Sequence, residues 1–242
     1  MTTHDSIRTI LISGASAGIG RATAEQLLAD GHRIIGIARD FGKCDIASPN
    51  FKAVEMDLGN IKALPDQLPE LARQHPEVDA IINCAGQGRF GSLEEFSYKQ
   101  IYKLMDLNFT SHAFVCRAFL PQLKQLSHSN IVFIGSEAAL EGTQKGSIYC
   151  AGKFALRGFA QALRQECSGS GVHVSIVNPG MVKTGFFDQL NFSHGEDAAN
   201  YIEVGDVAAA IKMILDSRPG TVVDEINLSP LKKVVSFKKD KE

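Results

Sequence analysis

Short apolar runs that stop at glycine or at a turn alternate with helical stretches along almost the whole chain, and no other feature narrows the fold as far. Residues 7–13 are rich in Ile and Leu and run straight into a glycine cluster, the pattern of a strand buried on both faces. Residues 19–30 follow as a helix, with Ala22, Leu27 and Leu28 as apolar positions and Gly31 as its stop. Further strands are predicted at 33–38, 51–56, 80–83, 131–134, 172–177 and 222–228. Further helices are predicted at 93–126, bent or ended by Pro121, at 147–167 and at 206–215. Strands alternating with helices imply βαβ units, hence an α/β fold with a parallel sheet covered by helices on both faces. With no repeat or linker in view, residues 1–242 are expected to form one domain.

Two stretches depart from this rhythm. Residues 39–52 contain Gly42, Pro49 and Asn50 and leave little room for a helix, so a short or irregular crossover is expected there. The stretch from about 230 to 242 carries Lys232, Lys233, Lys238, Lys239 and Lys241, and is expected to be a solvated, partly ordered basic tail.

Composition removes several classes of function. A chain of 242 residues can bury a large core without disulfides or metal, and a net charge of −2 is no footprint for nucleic acid. Cys44, Cys84, Cys116, Cys150 and Cys167 are odd in number and contain no C-x-x-C pair, so free thiols and no metal site are expected. The opening Met-Thr-Thr-His-Asp lacks the basic, then apolar, pattern of a secretory signal, so none is expected, and no apolar stretch is long enough to span a bilayer. The expected location is the cytoplasm, with no membrane partner.

The first strand–turn–helix carries Gly14, Ser16, Gly18, Ile19 and Gly20. Glycine there lets backbone approach a pyrophosphate, and the helix N-terminus favours the negative charge. A tight turn alone would also explain the cluster. Asp57, ending the third strand, can accept the adenine amine or cap the helix expected near Asn60. Arg39 lies just past the second strand, where Ala38 supplies no carboxylate for a ribose 2′-OH. An arginine there suits the 2′-phosphate of NADP(H) over NAD(H), although it could also be a surface residue paired with Asp40. Asn83, Ala85 and Gly86 close the fourth strand, where small residues admit a cofactor and Asn83 can tie neighbouring strands.

Tyr149 and Lys153 stand four apart on one predicted helix and so share a face. A phenol with a pKa of about 10 is a poor acid/base at neutral pH, and a nearby ammonium would lower it. Ser136 directly follows the fifth strand and can bind a substrate oxygen or cap a turn. Asn108 lies mid-helix, where asparagine is mildly unfavourable. It can hold a water or simply face solvent.

Taken together, these residues resemble the short-chain dehydrogenase/reductase family. Ser13-Gly14-x-x-x-Gly18-Ile19-Gly20 resembles its T-G-x-x-x-G-I-G motif. Asn83-Cys84-Ala85-Gly86 resembles N-N-A-G, and Asn178 to Thr184 resembles its P-G-x-V-x-T segment. Asn108, Ser136, Tyr149 and Lys153 match its catalytic tetrad in identity, order and spacing. The resemblance spans about residues 7 to 228. It implies a Rossmann-type doubly wound domain with a seven-stranded sheet of order 3-2-1-4-5-6-7. It implies Tyr149 as acid/base, Lys153 lowering its pKa and holding the nicotinamide ribose, Ser136 orienting substrate, and Asn108 supporting a water relay. Pro179, Gly180, Val182 and Thr184 would hold the carboxamide, and Asp57 and Leu58 would join the cofactor contacts. Residues 146–155 and 223–228 also look like the 3-hydroxy acid (serine-type) dehydrogenase branch. Neither Arg89 nor Lys183 can be assigned to a substrate carboxylate.

The expected function is therefore NADP(H)-dependent hydride transfer on a small carbonyl/alcohol substrate. The alternatives are an acyl-chain ketoreductase, for which Phe186 and Phe187 would suit an apolar chain, and a dinucleotide sensor without turnover. Apolar residues on more than one face of the helices at 93–126 and 147–167 imply a homotetramer or homodimer.

Overall fold

The computed structural model describes residues 7–238. Lys239 and Lys241 of the basic tail, and the first six residues, lie outside them. Seven parallel strands form the main sheet: β1 (Thr9–Ser13), β2 (Arg33–Ala38), β3 (Phe51–Glu55), β4 (Ala80–Asn83), β5 (Ser129–Ile134), β6 (Val172–Pro179) and β8 (Glu225–Leu228). Their order is β3-β2-β1-β4-β5-β6-β8, the doubly wound arrangement the resemblance implies. The number of the last strand shifts because a three-residue strand, β7 (Phe192–His194), intervenes. It pairs antiparallel with β9 (Val235–Phe237) in a separate small sheet.

Alternation along the strands builds two cores. Leu11, Ile37, Ile81, Phe133 and Ile176 face one way, against α2 (Leu64–Gln74), α4 (Ser111–Leu123) and α5 (Ser147–Cys167). Ile10, Ile12, Ile34, Ile82 and Val177 face the other way, against α1 (Gly18–Ala29) and α6 (Val204–Leu215). β1 and its neighbours are buried on both faces, and the order in which successive strands are added reverses between β1 and β4. A crevice therefore opens beyond their carboxyl ends. No helix of the described residues is long and apolar enough to cross a membrane.

Two expectations change and one holds. The stretch 93–126 is not one helix: α3 (Tyr98–Met105) runs into a wide π-turn over Asp106–Thr110 before α4, and Pro121 is absorbed inside α4. The crossover at 39–50 has no helix, as its composition implied. Phe41 and Ile46 anchor it to the core, and Asp45 pairs with Arg21 on α1. The stretch after Pro230 is tied down as far as Lys238, because β9 finds a strand partner and Lys238 Nζ donates to the carbonyls of Phe187 and Asp188 at 2.6 and 3.0 Å.

Candidate active site

The turn after β1 can only be built from glycine. Gly14 and Gly18 have φ of +71° and +55°, the left-handed region where a side chain is strained. A Cβ on Gly20 would lie 2.3 Å from the Gly14 carbonyl oxygen. Ser13 Oγ accepts from the amides of Cys84 and Ala85 at 3.0 and 3.1 Å, so the ends of β1 and β4 are pinned together under the crevice. The N-terminus of α1 has no side-chain cap and no acidic residue in its first turn. Its free N–H groups, in a cradle that no Cβ fills, fit a pyrophosphate. Thr184 lies across from Gly18, its Cγ2 3.4 Å from where a Cβ would be, so the segment from Pro179 to Thr184 overhangs the glycine turn.

At the far side of the crevice, Arg39 is exposed beyond β2 and makes no ion pair among the described residues. Asp40 turns back to accept from the Gly42 amide at 2.7 Å instead of pairing with it. Asp57 closes its own turn by accepting from Gly59 N at 2.9 Å, and Leu58 sends its side chain into the core. Asn83 differs from its expected role. It is fully buried, donates to Cys116 Sγ at 3.6 Å and meets His112 Nδ1 at 3.3 Å, so it ties β4 to α4 and not to a neighbouring strand. His112 was not singled out by any spacing. Burial and the nearby Lys153 charge lower its pKa to about 3, which keeps the ring neutral.

Asn108, Ser136, Tyr149 and Lys153 all line one cavity of about 640 Å³, which also touches Ile19, Gly86, Pro179, Gly180, Val182 and Thr184. Asn108 is buried in the π-turn. Its amide spans the Gln87 backbone, accepting from N at 3.1 Å and donating to O at 3.0 Å, so it does not face solvent. The Ser136 hydroxyl caps the short helix Glu137–Ala139, accepting from the Ala138 amide at 3.2 Å, and lies near enough to the Tyr149 hydroxyl to favour its charged form. Lys153 Nζ donates to the Ile134 carbonyl at 2.9 Å and sits 5.9 Å from the Tyr149 ring centre. The expected lowering of the Tyr149 pKa by Lys153 does not appear in this arrangement. Burial pushes the phenol up to about 12 against the opposing effect of the Ser136 hydroxyl, and burial likewise pulls Lys153 down to about 8.

Aromatic side chains make the rest of the wall. Phe90 packs on Tyr149 at 5.2 Å between ring centres and on Phe192 at 5.0 Å. Phe186 packs on Tyr149 at 5.9 Å and on Phe187 at 5.2 Å. Phe186 fills the place of any side chain on Gly88, where a Cβ would meet its ring at 2.3 Å. Val235 and Phe237 of β9 line the same cavity. Phe90, Phe192 and Phe237 carried no sequence signal, since they lie in loops or three-residue strands without periodicity. Arg89 reaches over Phe96 and Lys183 over Tyr201, and neither lines the cavity.

Residues 8–194 match the family model for short chain dehydrogenases. A 3-ketodihydrosphingosine reductase of Bacteroides thetaiotaomicron is 32% identical over 187 residues, 76% of this chain and 67% of that protein. Human retinol dehydrogenase 8 is 32% identical over 191 residues, 76% of this chain and 61% of that protein. A Beutenbergia cavernae protein assigned as an NAD(P)-dependent gluconate 5-dehydrogenase, solved with NADP bound, superposes with a TM-score of 0.83. It is 25% identical, with 92% of this chain and 95% of that one covered. This chain therefore belongs to the short-chain dehydrogenase/reductase family, whose members are NAD(P)(H)-dependent enzymes that interconvert CH–OH and carbonyl groups.

Proposed function

We propose that this chain is an NADP(H)-dependent reductase and dehydrogenase for a ketone/secondary alcohol pair carried on an apolar chain. The observation that carries the reading is the aromatic wall set directly against Tyr149. An apolar lining with few polar groups at one end is what orients a small apolar ligand. The two relatives named above act, by their names, on 3-ketodihydrosphingosine and retinol, each a polar group on a long apolar body. A 3-hydroxy acid is the second reading. Lys145, on the same lining, is the cation that could meet its carboxylate.

Bound nicotinamide cofactor supplies or takes up the hydride. The chain's own residues do the rest. The glycine turn and the α1 N-terminus hold the pyrophosphate, Arg39 meets the 2′-phosphate, and the segment from Pro179 to Thr184 holds the carboxamide. Ser136 and Tyr149, on the lining of the same cavity, give the substrate oxygen two partners. A Tyr149 hydroxyl kept protonated by burial is in the form that donates a proton to a carbonyl oxygen during reduction. Lys153 holds the nicotinamide ribose. The side chain of Asn108 is spent on Gln87, so a relay water would be held by the backbone of its π-turn.

The test is consumption of NADPH and of NADH with methyl ketones of rising chain length and with 3-oxo acids. Preference for NADPH, and kcat/KM rising with chain length, are expected. Best turnover of a short 3-oxo acid would overturn the substrate reading. Arg39→Asp should weaken or reverse the cofactor preference, and equal affinity of the wild type for both cofactors would end that argument. Tyr149→Phe should bind NADPH normally and lose roughly 10²–10⁴-fold in turnover. A folded Tyr149→Phe protein with near wild-type turnover would remove Tyr149 from the chemistry.

A further inference from the structure

The stretch from Leu231 to Lys238 is laid across the cavity as a strap. Its backbone is fastened along its length. Lys232 N donates to Ala199 O at 2.8 Å, Gly195 N to Val234 O at 3.2 Å, and Lys238 N to Asn191 O at 2.8 Å. Side chains add two anchors: Lys233 Nζ to Glu137 Oε2 at 2.9 Å, and Lys238 Nζ to the Phe187 and Asp188 carbonyls. All four of its apolar residues, Leu231, Val234, Val235 and Phe237, are nonetheless poorly covered, and the last two lie at the cavity. Val235 is 45% and Phe237 76% exposed, although both border the cavity. A strap held by polar ties, with its apolar side chains unfilled at the cavity edge, leaves room for something apolar between it and the wall.

The aromatic path gives that space a direction. From Tyr149 it steps to Phe90, then to Phe192, and Phe192 stands directly opposite Phe237 in the β7–β9 register. The first two steps are 5.2 and 5.0 Å between ring centres, and the third is the cross-strand pairing of Phe192 with Phe237. We propose that Phe237, with Val235 beside it, determines how long an apolar chain the enzyme favours. The substrate carbonyl sits at Tyr149, its chain follows Phe90 and Phe192, and its far end is covered by Phe237. This rests on the apolar-substrate reading above and adds to it the residue that measures the chain.

The chain contains no tryptophan, so Phe237→Trp places a single indole at the far end of the path. In the presence of NADP⁺, titration with 2-dodecanone should give a saturable blue shift of its emission, and 2-butanone should give none. Separately, Phe237→Ala should lower kcat/KM for 2-dodecanone about tenfold and leave that for 2-butanone unchanged, with Phe237→Leu recovering most of the loss. At so exposed a position these changes should leave folding intact, which an unchanged melting temperature checks. An indole blind to 2-dodecanone, or an equal loss for both ketones, overturns the proposal. If no ketone of any length is turned over while the indole still responds to 2-dodecanone, the function reading fails and the chain-binding path stands.

Discussion

Lys153 is a charge held where charge is costly. It is 5% exposed, with one carbonyl partner, and burial brings its pKa from 10.5 to about 8. At pH 7 the lysine is protonated in both folded and unfolded chains, so the folded state bears the full cost, about 3 kcal/mol from the size of the shift. Between about pH 8 and 10 the unfolded chain binds the extra proton, and stability contributed by this group rises with pH. Above that, Tyr149 works the other way, because the folded phenol keeps a proton that the unfolded one releases. Lys153→Met is therefore expected to raise the melting temperature by several degrees at pH 7 while abolishing turnover. The difference from wild type should shrink toward pH 10. Denaturation at pH 7 and 9.5 measures it, and an equal or lower melting temperature at pH 7 would contradict the argument. At this scale the sequence was most legible. Asn108, Ser136 and the Tyr149–Lys153 pair, carried by three separate elements, line one cavity. What could not be read were the partners: the Gln87 backbone spanned by Asn108, and the neutral His112 behind Asn83.

Among elements, the first strand–turn–helix is the most tightly specified. A methyl group on Gly20 collides with backbone, which cannot swing aside as a side chain can. Gly20→Ala is expected to destabilise the fold by roughly 1–3 kcal/mol, the usual cost of overpacking. NADPH affinity should fall more steeply than stability. Calorimetric titration beside urea unfolding separates the two effects, and normal NADPH affinity in a destabilised protein would mean that the turn is only structural. This element was legible because strand, glycines and helix are contiguous. α2 was expected only by its start, near Asn60, and its extent was not read, since Pro65 and Pro69 obscure the spacing of Leu64, Leu68 and Leu71. β7 and β9 were illegible for another reason. Each is three residues long, and each exists only because the other lies beside it, some forty positions along the chain. Lysines dominate the composition of the tail, and its described part is held by backbone hydrogen bonds, by Lys233 on Glu137 and by Lys238 on two carbonyls.

For the whole molecule, the exposed large aromatic side chains of the described residues other than Phe237 lie on two helices that pack together. Tyr98 and Tyr102 on α3 are 84% and 68% exposed, and Phe154 on α5 is 44% exposed. Such a surface suits an isologous contact about a two-fold axis. A dimer or tetramer is expected by light scattering at micromolar concentration, and Tyr102→Asp should shift it toward smaller species. A wild-type monomer mass would rule this out. The parallel sheet with helices on both faces was readable from alternation and its doubly wound order from the family resemblance, whereas the cavity's outer wall was not, apart from Phe186 and Phe187. Phe90, Phe186, Phe187, Phe192 and Phe237 all lie outside the seven-stranded sheet and outside its two cores. That separation bears on descent. Segments that do not hold the sheet together are free to be exchanged or rewritten between generations at small cost to folding. A lineage built on this plan can keep one cofactor end and one acid/base while its taste for substrates drifts, and divergent sequences around an unchanged Tyr149 and Lys153 are the trace such drift would leave.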